Sequence, residues 1–294
     1  SGLGTGTLNG WKVDAYGSDA NETIAGIGTA GEPPVTSATG DNVYFYTDEF
    51  ATAPGTSRNT LTDTNGGSDI VNASAVSTNS TINLNNGTTS TIAGRNLTIS
   101  GDVEHAFGGD GNDTITGSAL SNRLQGGRGA DTLNGGDNFD LLDGGKGNDT
   151  LTGGTGIDYF VIHKDAGSAD TITDFSPSTA GEKILLVGFD SVTDFTQITV
   201  TQETTNTRLT LGDGQSILLQ NIAPSQISEQ NFGFFSDDAT LETFTKYMSS
   251  VSTASGTSGV ENGFLPNNLG DLGYFALGGD DVIRSQTTAD LIDG

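Results

Sequence analysis

A nine-residue repeat runs without interruption through the middle of the chain. Six consecutive blocks, from GGDGNDTIT at residue 108 to GGTGIDYFV ending at residue 161, share one pattern of small, acidic and apolar positions. The eighth position is apolar in every block: Ile115, Leu124, Leu133, Leu142, Leu151 and Phe160. Six blocks in a row without an insertion exclude a chance cluster of glycines and predict a solenoid whose stacked turns share one narrow core.

The first six positions of each block suit a hard cation. Glycine tolerates positive φ and close backbone approach, so a Gly-Gly-x-Gly stretch can turn sharply and direct carbonyl oxygens inward. A carboxylate at the sixth position adds the anionic oxygen that Ca²⁺ prefers, and the last three residues are predicted to form a short strand. The candidate calcium ligands are Gly109, Gly111, Asp113, Gly127, Gly129, Asp131, Gly136, Asn138, Asp140, Gly145, Gly147, Asp149, Gly154, Gly156 and Asp158.

Two blocks make one full coil, so carboxylates two blocks apart are predicted to stack on the same edge. One edge stacks Asp113, Asp131 and Asp149, and the other stacks Asn122, Asp140 and Asp158. All three loops of the first edge keep the full pattern, and both of its inter-loop sites are expected to bind calcium. On the second edge, Ser118 and Asn122 replace Gly and Asp, and Asn138 replaces a glycine, which puts the site between these two loops in doubt. A site between Asp140 and Asp158 is expected.

The blocks resemble the calcium-binding repeats of RTX (hemolysin-type) proteins, which form a parallel β-roll. The segments GRNLTISGDVEHAFGGDGNDTITG and DYFVIHKDAGSADTITDF are similar to those that flank the roll in the C-terminal domain of serralysin-type secreted proteases, so the resemblance covers residues 56–235. In that family an aspartate-rich segment caps the roll, which implies Asp170 and Asp174 as candidates for the last calcium site. The resemblance also implies several calcium ions, export by a type I secretion system, and folding outside the cell.

The charge of the chain agrees with a cation as the partner. There are 37 acidic and 11 basic residues, a formal net charge of −26. This balance argues against nucleic acid and anionic membranes as partners, and no apolar run approaches the roughly 18 residues that span a bilayer. Cysteine is absent, which excludes disulfides and thiolate metal sites. Because stacked carboxylates repel and glycine loops lose entropy on ordering, we predict that the repeats fold only at extracellular, millimolar calcium.

The predicted fold class is all-β: a parallel β-roll capped by antiparallel, jelly-roll-like strands, with one short helix. We expect an N-terminal β segment at 1–55, the roll with its caps at 56–235, a short helix and linker at 236–263, and the start of a further repeat region at 264–294. Independent sandwich domains beside the roll remain an alternative. Repeat-like sequence near both ends, GSDANETIAGIG at 17–28 and LGGDD at 277–281, is expected of a piece of a longer repetitive protein.

The sequence carries no recognisable catalytic motif. Its two histidines, His105 and His163, lie outside any His-Glu-x-x-His run, so the zinc site of a protease is missing, and Glu104 beside His105 is better explained by a structural role. Trp11 with Tyr16, and the strand carrying Tyr44 and Tyr46, could form a sugar-binding platform, although packing is the favoured reading.

Two functions of different class remain open. The first is a non-catalytic calcium-binding segment of a larger secreted or cell-surface protein, of adhesin or surface-layer type, with cell-surface polysaccharide or a second copy of the chain as possible partners. The second is a secretion and folding appendage of an extracellular enzyme such as a protease, a lipase or a polysaccharide-modifying enzyme. A third, weaker variant makes residues 1–55 a calcium-dependent ligand-binding surface.

Overall fold

The computed structural model describes residues 43–52, 59–63, 68–179, 181–238 and 241, together with the backbone of six short strands outside these ranges. The strands are β1 Thr5–Leu8, β2 Trp11–Asp14, β3 Ile24–Ala25, β4 Val35–Thr36, β5 Val43–Thr47, β6 Thr60–Thr62, β7 Ile70–Ala75, β8 Thr81–Asn83, β9 Thr89–Ile92, β10 Arg95–Ser100, β11 His105–Phe107, β12 Thr114–Thr116, β13 Arg123–Arg128, β14 Thr132–Asp137, β15 Leu141–Lys146, β16 Thr150–Thr155, β17 Tyr159–His163, β18 Ala169–Ile172, β19 Lys183–Val187, β20 Thr199–Glu203, β21 Asn206–Thr210, β22 Ser216–Leu219, β23 Phe232–Phe235, β24 Val282–Arg284 and β25 Leu291–Asp293. Short 3₁₀ turns occupy Asp48–Thr52, Phe195–Gln197, Gly212–Gly214, Pro224–Gln226 and Glu229–Asn231.

Nearly all of these strands belong to two long sheets. Sheet I has the order β20-β21-β22-β18-β16-β14-β12-β8-β9-β10-β6-β4, and sheet II has the order β23-β19-β17-β15-β13-β11-β7-β5-β3. Buried side chains from both sheets form one continuous apolar cluster, so the two sheets pack against each other over a shared core.

The nine-residue blocks alternate between the two sheets, as the repeat predicts. β12, β14 and β16 lie side by side in sheet I, and β13, β15 and β17 in sheet II, all parallel. Each residue pairs with the one 18 positions later, for example Thr114 with Thr132 and Arg123 with Leu141. The eighth residues of all six blocks have 0% exposure, which confirms them as the core of a parallel β-roll. Burial of each such side chain contributes about 1.5–3 kcal/mol.

The coils continue beyond the nonapeptide blocks on both sides. Before the first block, β11, β7, β5 and β3 extend sheet II in parallel, and β8 pairs in parallel with β12. After the last block, β18, β19, β22 and β23 do the same. Within the two sheets, antiparallel pairing is confined to β8–β9–β10 and to β20–β21–β22, the second of which includes a hairpin around Gly212–Gly214. All of these antiparallel strands belong to sheet I, so they continue the same sheet as the strands of the roll.

A second apolar layer covers the outer face of sheet II. Leu141, Tyr159, Val161, Leu185 and Val187 point away from the shared core and pack with Leu241. Leu241 lies in a helical turn, where its amide donates to the Asp237 carbonyl at 3.2 Å. The rest of the short helix and linker predicted for 236–263 lies outside the described residues.

His163 joins the segment that carries Leu241 to the outer face of sheet II. His163 Nε2 lies 3.0 Å from Asp143 Oδ2, and its Nδ1 lies 3.4 Å from Asp238 Oδ1. The imidazole therefore bridges a carboxylate of β15 and a carboxylate that follows β23.

Several other sequence expectations can be compared with the structure. Tyr44 and Tyr46 are 1% and 7% exposed, so the sugar-platform reading is wrong for these two rings, whereas the side chains of Trp11 and Tyr16 lie outside the described residues. β24 and β25, within the predicted further repeat region, pair antiparallel, unlike the strands of the roll. Among the described residues, no helix has the length and apolar character needed to cross a bilayer.

Candidate metal centre

Four aspartates form a column along the first edge of the roll, where each coil turns into sheet I. The amide of Asp113 donates to Asp131 Oδ1 at 2.6 Å, that of Asp131 to Asp149 Oδ1 at 2.8 Å, and that of Asp149 to Asp170 Oδ1 at 3.0 Å. At the other end, the amide of Ser80 donates to Asp113 Oδ1 at 2.6 Å. The predicted edge is therefore observed, and it is one coil longer at each end than the nonapeptide blocks.

A second column occupies the opposite edge, where the coils turn into sheet II. The amide of Asn122 donates to Asp140 Oδ1 at 2.7 Å, and that of Asp140 to Asp158 Oδ1 at 2.9 Å. Glu104 and Glu182 extend this column, because each precedes a strand at the same register position: Glu104 before β11 and Glu182 before β19. Sequence reasoning missed both glutamates as members of the column.

Asn122 replaces a carboxylate of the second column by a neutral amide. Its Oδ1 accepts a hydrogen bond from the Ser118 amide at 2.6 Å, as Asp113 Oδ2 does from the Gly109 amide at 2.7 Å. Its Nδ2 donates to the Glu104 carbonyl at 2.7 Å and to Ser118 Oγ at 3.2 Å. The amide donor of Asn122 thus satisfies two oxygens, and hydrogen bonds hold this coil together.

The loops require glycine because neighbouring backbone and side-chain atoms leave no room for a Cβ atom. A methyl group at Gly126 would overlap the Asp131 carboxylate and lie 2.6 Å from the Gly144 carbonyl oxygen. The carboxylate of one loop and a carbonyl of the next therefore converge beside this Cα. Gly147 adopts φ +129°, and Asn138, which stands where a glycine was expected, adopts φ +74°. Asn138 fits because asparagine is among the few residues that tolerate this region.

The pKa values of the stacked carboxylates lie well above the usual value for aspartate. Burial raises the pKa of Asp131 to about 7 and those of Asp140 and Asp149 to about 8, and repulsion from neighbouring carboxylates adds to the rise. Main-chain amide donors oppose the shift without cancelling it. The folded roll therefore holds negative charge in a place where burial and repulsion disfavour it.

The residues present fit a calcium ion. Asp131 Oδ2 and Asp140 Oδ2 are buried and accept no hydrogen bond from the protein, so each is an acceptor that lacks a donor or a cation. Among the described residues, no three His, Asp or Glu side chains lie close enough together to hold a metal by themselves. A site here needs main-chain carbonyls beside the carboxylates, and calcium accepts that mixture of six to eight oxygens.

Asp170 and Asp174, the two carboxylates implied for the last calcium site, lie on different edges. Asp170 continues the first column, as described above. Asp174 accepts hydrogen bonds from the amides of Gly153 and Gly154, at 2.9 and 2.8 Å. Burial raises the pKa of Asp158 in the second column, and the charge of Asp174 adds to this rise. Each of the two aspartates therefore belongs to the C-terminal end of its own column.

His105 lies beside a buried serine but lacks the tautomer of a general base. Its Nδ1 accepts a hydrogen bond from the Arg123 amide at 3.0 Å, and its Nε2 lies 2.8 Å from Ser68 Oγ. Burial, with a smaller contribution from Arg123, lowers the pKa of His105 to about 3. The ring is therefore neutral with its proton on Nε2, which donates to Ser68 and cannot accept the serine proton.

Comparison with known proteins gives the repeat a family. Residues 100–119, 107–142 and 125–160 match the RTX calcium-binding nonapeptide repeat (four copies), which confirms the repeat type inferred from the sequence. RTX repeats bind several calcium ions per repeat region. No curated protein matches the chain.

Among solved structures, the crystal structure of the extracellular lipase LipA from Serratia marcescens is similar with a TM-score of 0.37 and 17% identity. The match covers 74% of this chain and 40% of the lipase, so the chain spans less than half of that protein.

Proposed function

We propose that the RTX repeats of this chain are a calcium-dependent folding device within a larger secreted or cell-surface protein. The observation that carries the proposal is the pair of stacked, buried carboxylate columns, in which Asp131 and Asp140 each keep one oxygen without a hydrogen-bond donor. Bound calcium neutralises the repulsion within the columns and supplies the missing partner. Since the coil cannot form this site while unfolded, the free energy of calcium binding becomes free energy of folding.

Each part of a loop has its own task in this proposal. The aspartate carboxylates and the glycine carbonyls of adjacent coils hold the ion, and the apolar eighth residue closes the core beneath it. The main-chain amide bonds from coil to coil set the 18-residue register that aligns the columns. Calcium itself supplies the positive charge that joins neighbouring coils.

Export before folding follows from the same physics. In the low calcium of the cell interior, the ionised columns oppose folding, which leaves an extended chain suited to a type I secretion system. Outside the cell, millimolar calcium is in the range of extracellular calcium modules. The secreted location, the secretion route and the wider role as an adhesin or surface-layer component are proposed on this basis.

We further propose that the region acts without catalysis. The support is local: His105 is neutral and buried with both ring nitrogens engaged, and His163 bridges Asp143 and Asp238. Esterase, lipase and protease assays of the purified protein in calcium are expected to show no turnover above a heat-denatured control. Calcium-dependent turnover that co-purifies with the protein would contradict this part of the proposal.

The test of the calcium proposal compares Asp131→Ala with Asn122→Ala. Asp131 lies in the middle of the first column and contacts the coils on both sides, whereas Asn122 already carries a neutral side chain. Folding is followed by far-UV circular dichroism during a calcium titration, and bound calcium is counted by equilibrium dialysis.

Asp131→Ala is expected to raise the calcium midpoint more than Asn122→Ala does and to lower the number of bound ions. Asn122→Ala removes hydrogen bonds and is expected to bind as many ions as the wild type at saturation. Equal midpoints, with equal ion counts, would contradict the assignment of the columns.

A further inference from the structure

The outer face of sheet I carries an uncharged array of threonine, asparagine and serine side chains, here called the threonine face. Along each strand from β6 to β18, buried residues alternate with outward residues. Apart from Ala169 at the start of β18 and the Gly-Gly-x ends of β14 and β16, which include Asp137, the outward residues are of this type. The members are Thr60, Thr62, Thr81, Asn83, Thr89, Thr91, Asn96, Thr98, Ser100, Thr114, Thr116, Thr132, Asn134, Thr150, Thr152, Thr171 and Thr173.

The strand register aligns these side chains in rows. One row runs through directly paired residues on seven neighbouring strands: Asn96, Thr91, Thr81, Thr114, Thr132, Thr150 and Thr171. Neighbouring strands lie about 4.7–4.9 Å apart, and outward residues two positions apart on a strand are separated by roughly 6.7 Å. The face is therefore a two-dimensional lattice of hydroxyl and methyl groups about 30 Å long in the direction across the strands.

Most hydroxyls of the long row lack a partner within the protein. In the described part of the chain, the side chains of Thr81, Thr114, Thr132, Thr150 and Thr171 take part in no hydrogen bond. Threonine is stiff at χ1, so the hydroxyls are held in place before any ligand arrives and lose little entropy on binding. Such an array binds a partner whose own hydrogen-bonding groups repeat at matching intervals.

The chemistry of the face restricts that partner. No side chain of the threonine face is charged, although the chain carries a net charge of −26, so the partner is electrically neutral. Small-molecule sites are concave, whereas this is an open sheet face. The face presents no aromatic ring to stack on a sugar, which disfavours a polysaccharide.

We propose that the threonine face binds ice. The surface oxygens of ice are neutral, repeat in two dimensions, and recur at an interval close to the spacing between neighbouring strands. The hydroxyls replace water molecules at lattice positions, and the threonine methyl groups fill the spaces between them. Calcium affects ice binding only indirectly, because it holds the coils in register. The threonine face is a surface distinct from both carboxylate columns.

The experiment measures ice binding by the whole protein in saturating calcium, by incorporation into a slowly grown ice hemisphere and by inhibition of ice recrystallisation. Thr132→Tyr places a bulky, uncharged side chain in the centre of the face and keeps high β propensity. Thr201→Tyr is the matched control, because Thr201 is an exposed strand residue of sheet I separated from the face by Arg208 and Leu218. Circular dichroism in calcium verifies that each variant is folded, which separates failure of ice binding from failure of calcium-dependent folding.

The wild type and Thr201→Tyr are expected to enter the ice and to slow recrystallisation, and Thr132→Tyr is expected to lose both activities. Exclusion of the folded wild type from ice would overturn the proposal. Retention of full ice activity by folded Thr132→Tyr would overturn it too. Binding to microcrystalline cellulose that Thr132→Tyr abolishes, without any ice activity, would assign the face to a neutral polysaccharide instead.

Discussion

Replacement of Asp131 by asparagine is expected to have opposite effects on stability with and without calcium. Asp131 is 1% exposed, its Oδ1 accepts the Asp113 amide, and its Oδ2 has no donor. Burial raises its pKa from 3.8 to about 7. A carboxylic acid with a raised folded-state pKa destabilises the fold once it ionises, so the penalty is absent below the unfolded-state pKa and complete above the folded-state pKa.

The size of the effect follows from that shift. About three pKa units correspond to roughly 4 kcal/mol, and relaxation of the loop reduces this to about 2–4 kcal/mol at pH 8. Asparagine removes the penalty and adds a donor beside the Gly144 carbonyl, as the native Asn122 does toward Glu104. In calcium, however, the variant lacks an anionic ligand, and its free energy of unfolding is expected to fall below that of the wild type.

The assay is circular dichroism at about pH 8, where the carboxylate is ionised in the wild type. The β signal is compared in chelator, and urea unfolding is measured in saturating calcium. Asp190→Asn is the matched control, because the side chain of Asp190 is 93% exposed. Asp131→Asn should show more β signal than the wild type in chelator and a lower urea midpoint in calcium, and the control should show neither change. A variant with no more β signal than the wild type in chelator, and a lower midpoint in calcium, would refute the reasoning.

Three further predictions concern pH, a glycine and a histidine. Burial raises the pKa of Asp140 and Asp149 to about 8, so protonation as the pH falls from about 8 toward 4 removes the cost of burying their charge. The calcium-free protein should therefore gain β structure over this range. Loss of circular dichroism signal on mild acidification would contradict this. Gly126→Ala should abolish the calcium-induced transition in circular dichroism by filling the space beside the carboxylate, whereas Gly87→Ala, at φ +78° in open space, should cost only about 1 kcal/mol. Burial lowers the pKa of His163, but the carboxylates that it contacts raise it to about 9, and an NMR titration should give a value near 9. The contribution of the protonated His163 to stability is therefore complete below about pH 6.5 and is lost as the pH rises through 9. A titration midpoint near 6.5 would show that the bridge is absent.

The repeat allowed the centre of the fold to be predicted from sequence. A fixed period with an apolar eighth residue and an acidic sixth residue determines which side chains stack, so the core around Leu133 and the columns around Asp131 follow directly. Asn138 departs from the glycine pattern, but its conformation keeps the loop geometry.

The nine-residue period no longer predicts column positions where more than 18 residues separate paired strands. Residues 164–182 separate β17 from β19, so Glu182 is out of the nine-residue phase even though strand pairing returns it to the second column. Glu104, in contrast, lies 18 positions before Asn122 and is in phase with the column. It was assigned a structural role because its segment resembles the strand that leads into the roll. Only Glu182 requires the observed register for its identification.

The threonine face shows a different limit of sequence analysis. Alternation of threonine with an apolar residue identifies a strand with one exposed side, but it does not show which strands are neighbours. Thr81 and Thr114 are 33 positions apart and become paired because β9 and β10 form an antiparallel excursion between them. The continuity of the face is therefore a property of the topology.

The measurement that tests the calcium account most directly is hydrogen–deuterium exchange of the whole protein in calcium, in magnesium and in chelator. Protection of the amides that link the columns, such as those of Asp113, Asp131 and Asp140, is predicted to appear together in calcium and to be absent in magnesium and in chelator. The same protection of these amides in chelator would show that the roll folds without the ion and would contradict the account.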